Sequence, residues 1–330
     1  MKVLRRNAIR VASAAVVAGL CTAIPAAWAQ SGGFPTKPIT LVVGFSPGGS
    51  NDIVARAIAQ PMSEDLGVPV VVENKVGAAG MIATNHVAKS APDGYTLMVS
   101  SASPLVVTPH TSKNVPYDPQ NDFAAVRLLG ITPEAMAINP KTPAKNLKEF
   151  VALANKQKVT LSSSGNGGLP HLAIELFRSA AGGNVVHVPY KGAGPAVTDA
   201  LAGHVDGVVV DLPAVSAQIK DGRLRGIALA NDSRSAFLPD LPTSGEQGMP
   251  SFVAVNWIGL IAPRQTPQNV IDRLYESVSR ALARPEVVKR LADAAVEVPR
   301  SSTPAQFKSF IAAEHAKWGK IVRDGKITAD

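Results

Sequence analysis

The stretch Ile39-Thr40-Leu41-Val42-Val43-Gly44-Phe45-Ser46-Pro47-Gly48-Gly49-Ser50-Asn51-Asp52-Ile53 decides the fold class of this 330-residue chain. It joins an apolar, β-branched run to a glycine-rich turn and then to residue types that begin helices, which predicts a strand, a tight turn and a helix. Backbone N–H groups at the start of a helix have no partner within it, and the helix dipole adds partial positive charge there. The turn is therefore suited to binding an anion.

A second turn of the same kind, Ser162-Ser163-Ser164-Gly165-Asn166-Gly167-Gly168, lies near the middle of the chain. It follows the apolar run 159–161 and precedes an apolar-periodic stretch at 172–180. Each turn by itself is also compatible with a purely structural role. Two such turns in one chain predict a clamp that holds an anion from two sides.

The rest of the chain alternates short β-branched runs with helical patterns, which predicts an α/β architecture with largely parallel sheets. The strands are predicted at 39–43, 68–73, 95–100, 159–161, 185–188, 205–210, 224–229 and 253–262. The helices are predicted at 53–66, 81–88, 147–155, 172–180, 197–202, 270–283, 286–295 and 304–322. Residues 104–145, rich in Pro, Asn, Asp and Thr, are interpreted as a connecting region.

Residues 1–29 have the composition of a secretory signal peptide. Four basic residues precede the apolar core 11–24, and Ala27-Trp28-Ala29 is a small-x-small cleavage site. The apolar core is too short for a membrane-spanning helix. We therefore expect export to the periplasm and cleavage near Ala29.

Removal of that segment changes the charge and the cysteine content. Residues 1–29 contain four basic and no acidic residues, so cleavage lowers the net charge from +8 to +4, and it removes Cys21, the only cysteine. The mature chain then has no basic run that would indicate nucleic-acid binding, no disulfide and no cysteine metal site. The histidines show no metal-ligand spacing, and no cofactor is expected. The modest net charge favours a monomer.

The pattern Gly44-x-Ser46-x-Gly48 also matches the nucleophile elbow of serine hydrolases, which lies between a strand and a helix. In that elbow the residue after the serine donates its backbone N–H to the oxyanion hole. Pro47 has no N–H, so the pattern favours a binding turn over an exported hydrolase that uses Ser46.

Three further positions have open interpretations. His171, at the start of the second turn's helix, contacts a ligand or caps the turn. Lys191, which follows Tyr190 in a glycine-containing turn, neutralises a carboxylate or is simply solvated. Asp211, at the end of the apolar run 207–210, accepts hydrogen bonds from a ligand or holds the neighbouring turn. No paired acid and base is visible in the sequence, so no catalytic role is expected.

Short motifs follow one another in a fixed order along the chain. They include Phe34-Pro35-Thr36-Lys37-Pro38-Ile39, Pro47-Gly48-Gly49, Val71-Val72-Glu73-Asn74, Gly77-Ala78-Ala79-Gly80, Ala91-Pro92-Asp93-Gly94-Tyr95-Thr96-Leu97, Pro116-Tyr117-Asp118-Pro119, Ser164-Gly165-Asn166-Gly167, His187-Val188-Pro189-Tyr190-Lys191-Gly192 and Leu238-Pro239-Asp240-Leu241-Pro242-Thr243. In this ordered set the chain resembles the periplasmic solute-binding proteins of the tripartite tricarboxylate transporter group, the Bug family.

The resemblance implies a two-domain α/β periplasmic binding protein, type II-like, with a ligand cleft between the domains. Each domain would be a mixed, mostly parallel sheet flanked by helices. By this likeness residues 31–132 and 253–330 form domain 1, and residues 133–252 form domain 2. A bound carboxylate would lie where the Gly48–Gly49 turn faces the turn 164–168, held mostly by backbone groups.

The resemblance and the two turns together define an expected set of ligand-binding residues. It consists of Phe45, Ser46, Pro47, Gly48, Gly49, Asn51, Asp52, Ala79, Ser101, Ser164, Gly165, Asn166, Gly167, Gly168, His171, Tyr190, Lys191 and Asp211.

Two positions depart from the family's pattern. Gly168 stands where the family commonly has threonine, and Asp211 stands where it often has asparagine. A negative charge at Asp211 would disfavour a ligand carboxylate at that end of the cleft. It would favour a hydroxyl, amine or amide there, so we expect a monocarboxylate or a substituted acid.

The expected function is capture of a small carboxylated solute, outside the cytoplasm, for a membrane permease of the tripartite type. The permease is implied by the resemblance alone. The alternative is a periplasmic ligand sensor that feeds a two-component system.

Overall fold

The structure is a computed structural model that describes residues 33–325 and 327–328. The predicted signal peptide and its cleavage site lie outside these residues. All the helices and strands that the structure describes belong to one unit of the chain, Lys37–Asp330.

The described part of this unit contains nine strands and ten α-helices. The strands are β1 (Ile39–Val43), β2 (Val70–Asn74), β3 (Thr96–Ser101), β4 (Phe123–Ile138), β5 (Val159–Ser163), β6 (Val185–Pro189), β7 (Gly207–Asp211), β8 (Arg225–Ala230) and β9 (Val255–Pro263). The helices are α1 (Ser50–Leu66), α2 (Met81–Ala88), α3 (Thr108–Thr111), α4 (Leu147–Lys156), α5 (Leu169–Ala181), α6 (Ala193–Ala202), α7 (Leu212–Lys220), α8 (Gln268–Ala283), α9 (Pro285–Asp293) and α10 (Pro304–Asp324). Ala78–Gly80 and Gly245–Gln247 form 3₁₀ turns, and Ser103–Val107 forms a π-helical turn.

The first sheet has the strand order β2-β1-β3-β9-β4. β1 pairs in parallel with β2 and β3, whereas β9 pairs antiparallel with β3 and with the first part of β4. Because β1 and β3 are parallel neighbours, the segments that follow them emerge at the same edge of the sheet. Those segments are the Gly44–Gly49 turn and the π-helical turn.

The second sheet is built around the end of β4. Residues Glu134–Ile138 pair antiparallel with β7 on one side and β8 on the other, and β7 continues in parallel to β5 and β6. The last β4–β9 pair is Pro133–Val255, and the first β4–β7 pair is Glu134–Asp211. One long strand therefore changes partners between adjacent residues and belongs to both sheets.

Two apolar clusters stabilise the sheets. In the larger cluster Trp257 packs edge-on against Phe307, and Phe177 lies between Phe150 and Phe252. The smaller cluster packs α6 and α7 against β7 and β8 through residues such as Val208 and Leu229. Burial of large apolar side chains on both faces explains why these strands read as near-continuous apolar runs.

Local signals set several helix ends. Gly67 ends α1 in the left-handed conformation that glycine adopts without strain. The Asn146 side chain accepts a hydrogen bond from the Glu149 N–H at 2.9 Å and begins α4, and Thr303 with Gln306 forms a capping box at α10.

The structure corrects the predicted elements in three places. The region 104–145 is not a connection, because it holds the 16-residue strand β4. The helix α7 was not predicted, although proline in its first turn is compatible with a helix start. The sheets are also more mixed than the predicted arrangement, since every pairing of β4 is antiparallel. The antiparallel partners of β4 are distant in sequence, so no local pattern reveals them.

Candidate functional site

The first glycine-rich turn is held in place by Asp52. Its carboxylate accepts hydrogen bonds from the Gly48 N–H, the Arg56 guanidinium and the Asn74 amide, each at 3.0 Å. The Asn74 amide also reaches the Phe45 carbonyl at 2.9 Å. Burial alone would raise the pKa of Asp52, but these hydrogen bonds outweigh it and lower the pKa below its ordinary value. Asp52 is therefore ionised, and its carboxylate stabilises the turn.

A small cavity lies where this turn meets the edge of both sheets. Its volume is about 20 Å³, close to that of one water molecule. The residues that line it are Phe45, Gly49, Ser50, Asn51, Ser101, Ser103, Ser164, Ala193, Asp211 and Asn256.

Three helices begin at this cavity. Ser50 and Asn51 are the first residues of α1, Ala193 is the first residue of α6, and Asp211 precedes the first residue of α7. N–H groups in the first turn of a helix carry partial positive charge. In the part of the chain that the structure describes, no Lys, Arg or His lines the cavity. The positive pole of the cavity is therefore built from backbone.

Each of the two glycine-rich turns packs closely against a further turn. The Gly44–Gly49 turn packs against Gly192, where an added Cβ would lie 2.8 Å from the Ser46 N atom. The turn 164–168 packs instead against the 3₁₀ turn, since an added Cβ at Gly165 would lie 3.3 Å from Ala79 Cα. Phe45 and Gly49 of the first turn and Ser164 of the second turn line the same cavity.

Asp211 links the two sheets across the cavity. Its carboxylate accepts a short hydrogen bond from the Ser50 hydroxyl at the start of α1, and the Asn256 amide on β9 also hydrogen-bonds it. Asp211 stands at the N-cap of α7, yet its side chain makes no capping hydrogen bond. Asp211 is only 8% exposed, and it lines the cavity without capping its own helix.

A second acid, Glu134, lies directly opposite Asp211 in the β4–β7 pairing and is fully buried. Among the described residues, no donor reaches either of its carboxylate oxygens. Burial raises the pKa of Glu134 well above its ordinary value, and repulsion by Asp211 raises it further. Burial also raises the pKa of Asp211. A proton on Glu134, donated to Asp211, lets the two carboxyls coexist as one acid and one carboxylate.

The second turn is anchored by its own network. The Gly167 N–H donates to His171 Nδ1 at 3.0 Å, and the Gly167 carbonyl accepts the Thr111 hydroxyl at 2.7 Å. His171 stacks on His187, and burial, followed by the charge of His171, lowers the pKa of His187 to about 3. His171 therefore caps the turn, which is one of the two roles that the sequence allowed, the other being contact with a ligand.

The structure places the predicted binding residues in three groups. Those that line the cavity are Phe45, Gly49, Asn51, Ser101, Ser164 and Asp211. Those that form or brace the surrounding turns without lining it are Ser46, Pro47, Gly48, Asp52, Ala79, Gly165, Asn166, Gly167, Gly168 and His171. The remaining two neither line the cavity nor brace its turns. The Tyr190 hydroxyl donates a hydrogen bond to the Asp199 carboxylate at 2.5 Å, and Lys191 is exposed.

Four lining residues were missed by the sequence prediction: Ser50, Ser103, Ala193 and Asn256. Asn256 had a usable signal, because it is a lone polar residue in the apolar run 253–262. Ser103 had none, since the π-helical turn that presents it has no sequence signature.

The geometry does not assemble a hydrolase at Ser46. Within the part of the chain that the structure describes, the Ser46 hydroxyl has no hydrogen-bond partner, and so no histidine activates it. Among the same residues, no three or more acidic, histidine or cysteine side chains lie together so that they could hold a metal ion. None of the described helices is long and apolar enough to cross a membrane.

Comparisons with known proteins agree with this architecture. Residues 54–327 match the family model described as the tripartite tricarboxylate transporter family receptor. The solved structure of the periplasmic binding protein BugD is 32% identical, with a TM-score of 0.85, covering 89% of this chain and 99% of that one. Rpa4515 of R. palustris, solved with adipate, is 30% identical with a TM-score of 0.86, covering 90% and 99%. MatC of Rhodopseudomonas palustris, solved with bound malate, is 32% identical with a TM-score of 0.84, covering 88% and 100%.

The family match spans most of the chain, and the structural likeness covers the helices and strands described above. The family is one of receptors rather than enzymes. Its name and the fold both indicate a protein that binds a solute. The chain belongs to the tripartite tricarboxylate transporter receptor family, as a solute-binding protein of the Bug type.

Proposed function

We propose that this protein captures a small carboxylate in the cavity where α1, α6 and α7 begin. The convergence of three helix N-termini on one cavity is the observation that carries the proposal. Such N-termini stabilise an anion without a basic side chain. Two relatives, solved with adipate and malate, supply the chemical class of the solute.

The solute enters when the walls of the cavity move apart. A volume of about 20 Å³ holds one water and not a dicarboxylate. The walls come from the two sheets, which share β4. We take residues 31–132 with 253–330 as one domain and 133–252 as the other, with the connections near Pro133 and Phe252 as the hinge.

The same proposal includes the location and the partner. Export under the segment 1–29 brings the protein to the periplasm, where its relative BugD works as a binding protein. There the monomer, with solute bound, docks on a membrane permease of the tripartite type. Nucleic acid has no part in this function.

The test is isothermal titration of protein expressed as the full chain, purified after export and refolded from denaturant to remove carried-over ligand. The panel contains mono-, di- and tricarboxylates together with amino acids. We expect one chemical class to bind, and Gly192→Ala to weaken that binding at least ten-fold. An added Cβ there would press on the Ser46 backbone at 2.8 Å and hold the walls apart.

Gly222→Ala is the matched control. Gly222 also has a positive φ, of 70°, but an added Cβ meets nothing within 4 Å. It should lower stability by about 1 kcal/mol and leave the affinity unchanged. A panel in which nothing binds would overturn the proposal. If Gly192→Ala binds the solute as tightly as the wild type does, the solute does not bind in this cavity.

A further inference from the structure

The charge of the cavity is the starting point. Among the described residues that line the cavity, Asp211 is the one ionisable side chain, and no lysine, arginine or histidine accompanies it. The helix N-termini supply a positive pole for one carboxylate of a solute. The carboxylate of Asp211 gives the same cavity a negative pole.

The carboxylate of Asp211 has no cationic partner among the described residues. It makes no capping hydrogen bond to α7, and the groups that contact it are all neutral: the Ser50 hydroxyl, the Asn256 amide, its own backbone N–H and the protonated Glu134. A buried carboxylate that only neutral groups contact is costly, because hydrogen bonds replace only part of its lost hydration. The position therefore suits a carboxylate that gains a cationic partner from outside the protein.

Glu134 strengthens this argument. It is fully buried opposite Asp211, and no described donor reaches its oxygens. With one proton shared, the pair carries a single negative charge, and the neutral Glu134 cannot serve as the counter-ion. A solute hydroxyl or amide would also leave that charge uncompensated, whereas an ammonium group would neutralise it.

We propose that the solute is a zwitterion, a carboxylate that also carries a protonated amine, with its ammonium group on Asp211. This inference rests on the proposed function, since it names the class of carboxylate that the same cavity takes. The helix N-termini hold the carboxylate, and the Glu134–Asp211 pair selects the amine. An ammonium group also has three N–H donors, enough for Asp211 and neighbouring hydroxyls such as Ser101.

The experiment compares matched solutes by isothermal titration on the refolded wild-type protein. The pairs are succinate with aspartate, glutarate with glutamate, and adipate with 2-aminoadipate, and malate serves as the hydroxyl counterpart of aspartate. We expect the aminated member to bind at least ten-fold more tightly in at least one pair.

Asp211→Asn keeps the shape of the side chain and removes its charge. We expect it to reduce the preference for the aminated solute at least ten-fold. Asp221→Asn is the control, because Asp221 follows the other end of α7, is exposed and carries the same charge. Circular dichroism and thermal unfolding verify that both variants fold.

The outcomes separate the two proposals. If carboxylates without an amine bind as tightly as the aminated members, the zwitterion inference is wrong and the proposed function stands. If the preference exists but survives in Asp211→Asn, Asp211 is not the amine acceptor and the inference is also wrong. If no carboxylate of either kind binds, the proposed function itself fails. The wild-type comparison decides the question even if Asp211→Asn does not fold.

Discussion

At the scale of single residues, the fully buried acid Glu134 is the least expected feature of the chain. A buried carboxyl without donors keeps its proton, because ionisation would place an unhydrated charge in the protein interior. Asp211 beside it adds repulsion and reinforces the effect. The stability of the fold therefore depends on the protonation state of Glu134 and Asp211.

Glu134→Gln tests that link. The pKa of Glu134 is raised in the folded state above 4.5, its ordinary value. Folding thus retains a proton that the unfolded chain loses, so stability is complete below about pH 4.5 and falls as pH rises through the window up to the folded pKa. The loss is about 1.4 kcal/mol per pH unit in that window. Glutamine has no proton to lose, so the variant should become more stable than the wild type as pH rises.

The measurement is urea unfolding from pH 4 to pH 8, compared as the difference between variant and wild type. Glu286→Gln is the control, since its side chain is 66% exposed and the same substitution there should give a difference that hardly changes with pH. A flat difference for Glu134→Gln would mean that Glu134 is ionised in the folded protein.

At the scale of elements, α1 begins where it does because its first turn is braced from several directions. The Asp52 carboxylate accepts hydrogen bonds from the Gly48 N–H, from the Asn74 amide and from the guanidinium of Arg56, which lies four residues later on the same helix. The helix N-terminus that faces the cavity is thereby fixed in orientation. This explains why a residue that does not line the cavity still belongs to the site.

We expect Asp52→Asn to destabilise the protein by about 1–3 kcal/mol, because it weakens charge-assisted hydrogen bonds to a buried acceptor. The lowered pKa of Asp52 means that its contribution is present above its ordinary pKa of 3.8 and is lost as pH falls through the folded pKa. Urea unfolding should therefore show a difference from wild type that is largest near neutral pH and shrinks in acid.

Asp293→Asn is the matched control for that prediction. Asp293 also pairs with a cation four residues away, Lys289, but both side chains are more than 60% exposed. Exposed pairs contribute at most about 1 kcal/mol, so this variant should stay close to wild type. Equal effects of the two substitutions would contradict the bracing role of Asp52.

At the scale of the whole molecule, the cavity closes because loops from the two sheets interlock. Gly49 and Ala193 approach each other across it, with 4.0 Å between the Ala193 Cβ and an ideal Cβ built on Gly49. That separation lies within the range of disulfide bonds. The mature chain contains no cysteine after removal of the segment 1–29, so an engineered pair would have no competing thiol.

The double variant Gly49→Cys with Ala193→Cys should lock the walls together when it is oxidised. We expect the rate of solute binding to fall at least ten-fold in the oxidised protein and to recover on reduction, because entry requires the walls to separate. Stopped-flow measurement of binding with and without a reductant gives both rates on one protein. Equal rates in the two redox states would show that the solute enters without this opening.

Much of the local structure could be predicted from the sequence. Apolar runs such as 39–43 and 159–161 identify strands, and glycines such as Gly67 end helices, because these signals act over a few residues. The strand β4 escaped prediction because Gly130, Pro133 and Glu134 interrupt its apolar pattern. It is stabilised by partners that lie far away in the chain.

The sequence by itself determined the family, the α/β class and the two glycine-rich turns, since all of these depend on neighbouring residues and ordered motifs. Only the tertiary structure decided which turns pack together: Gly192 packs against the Gly44–Gly49 turn, and Gly165 packs against Ala79. It alone placed Glu134 against Asp211 and Ser50 against the same carboxylate. The physical reason is that strand register and loop packing bring together groups far apart in sequence, and the charge of the cavity arises from that meeting.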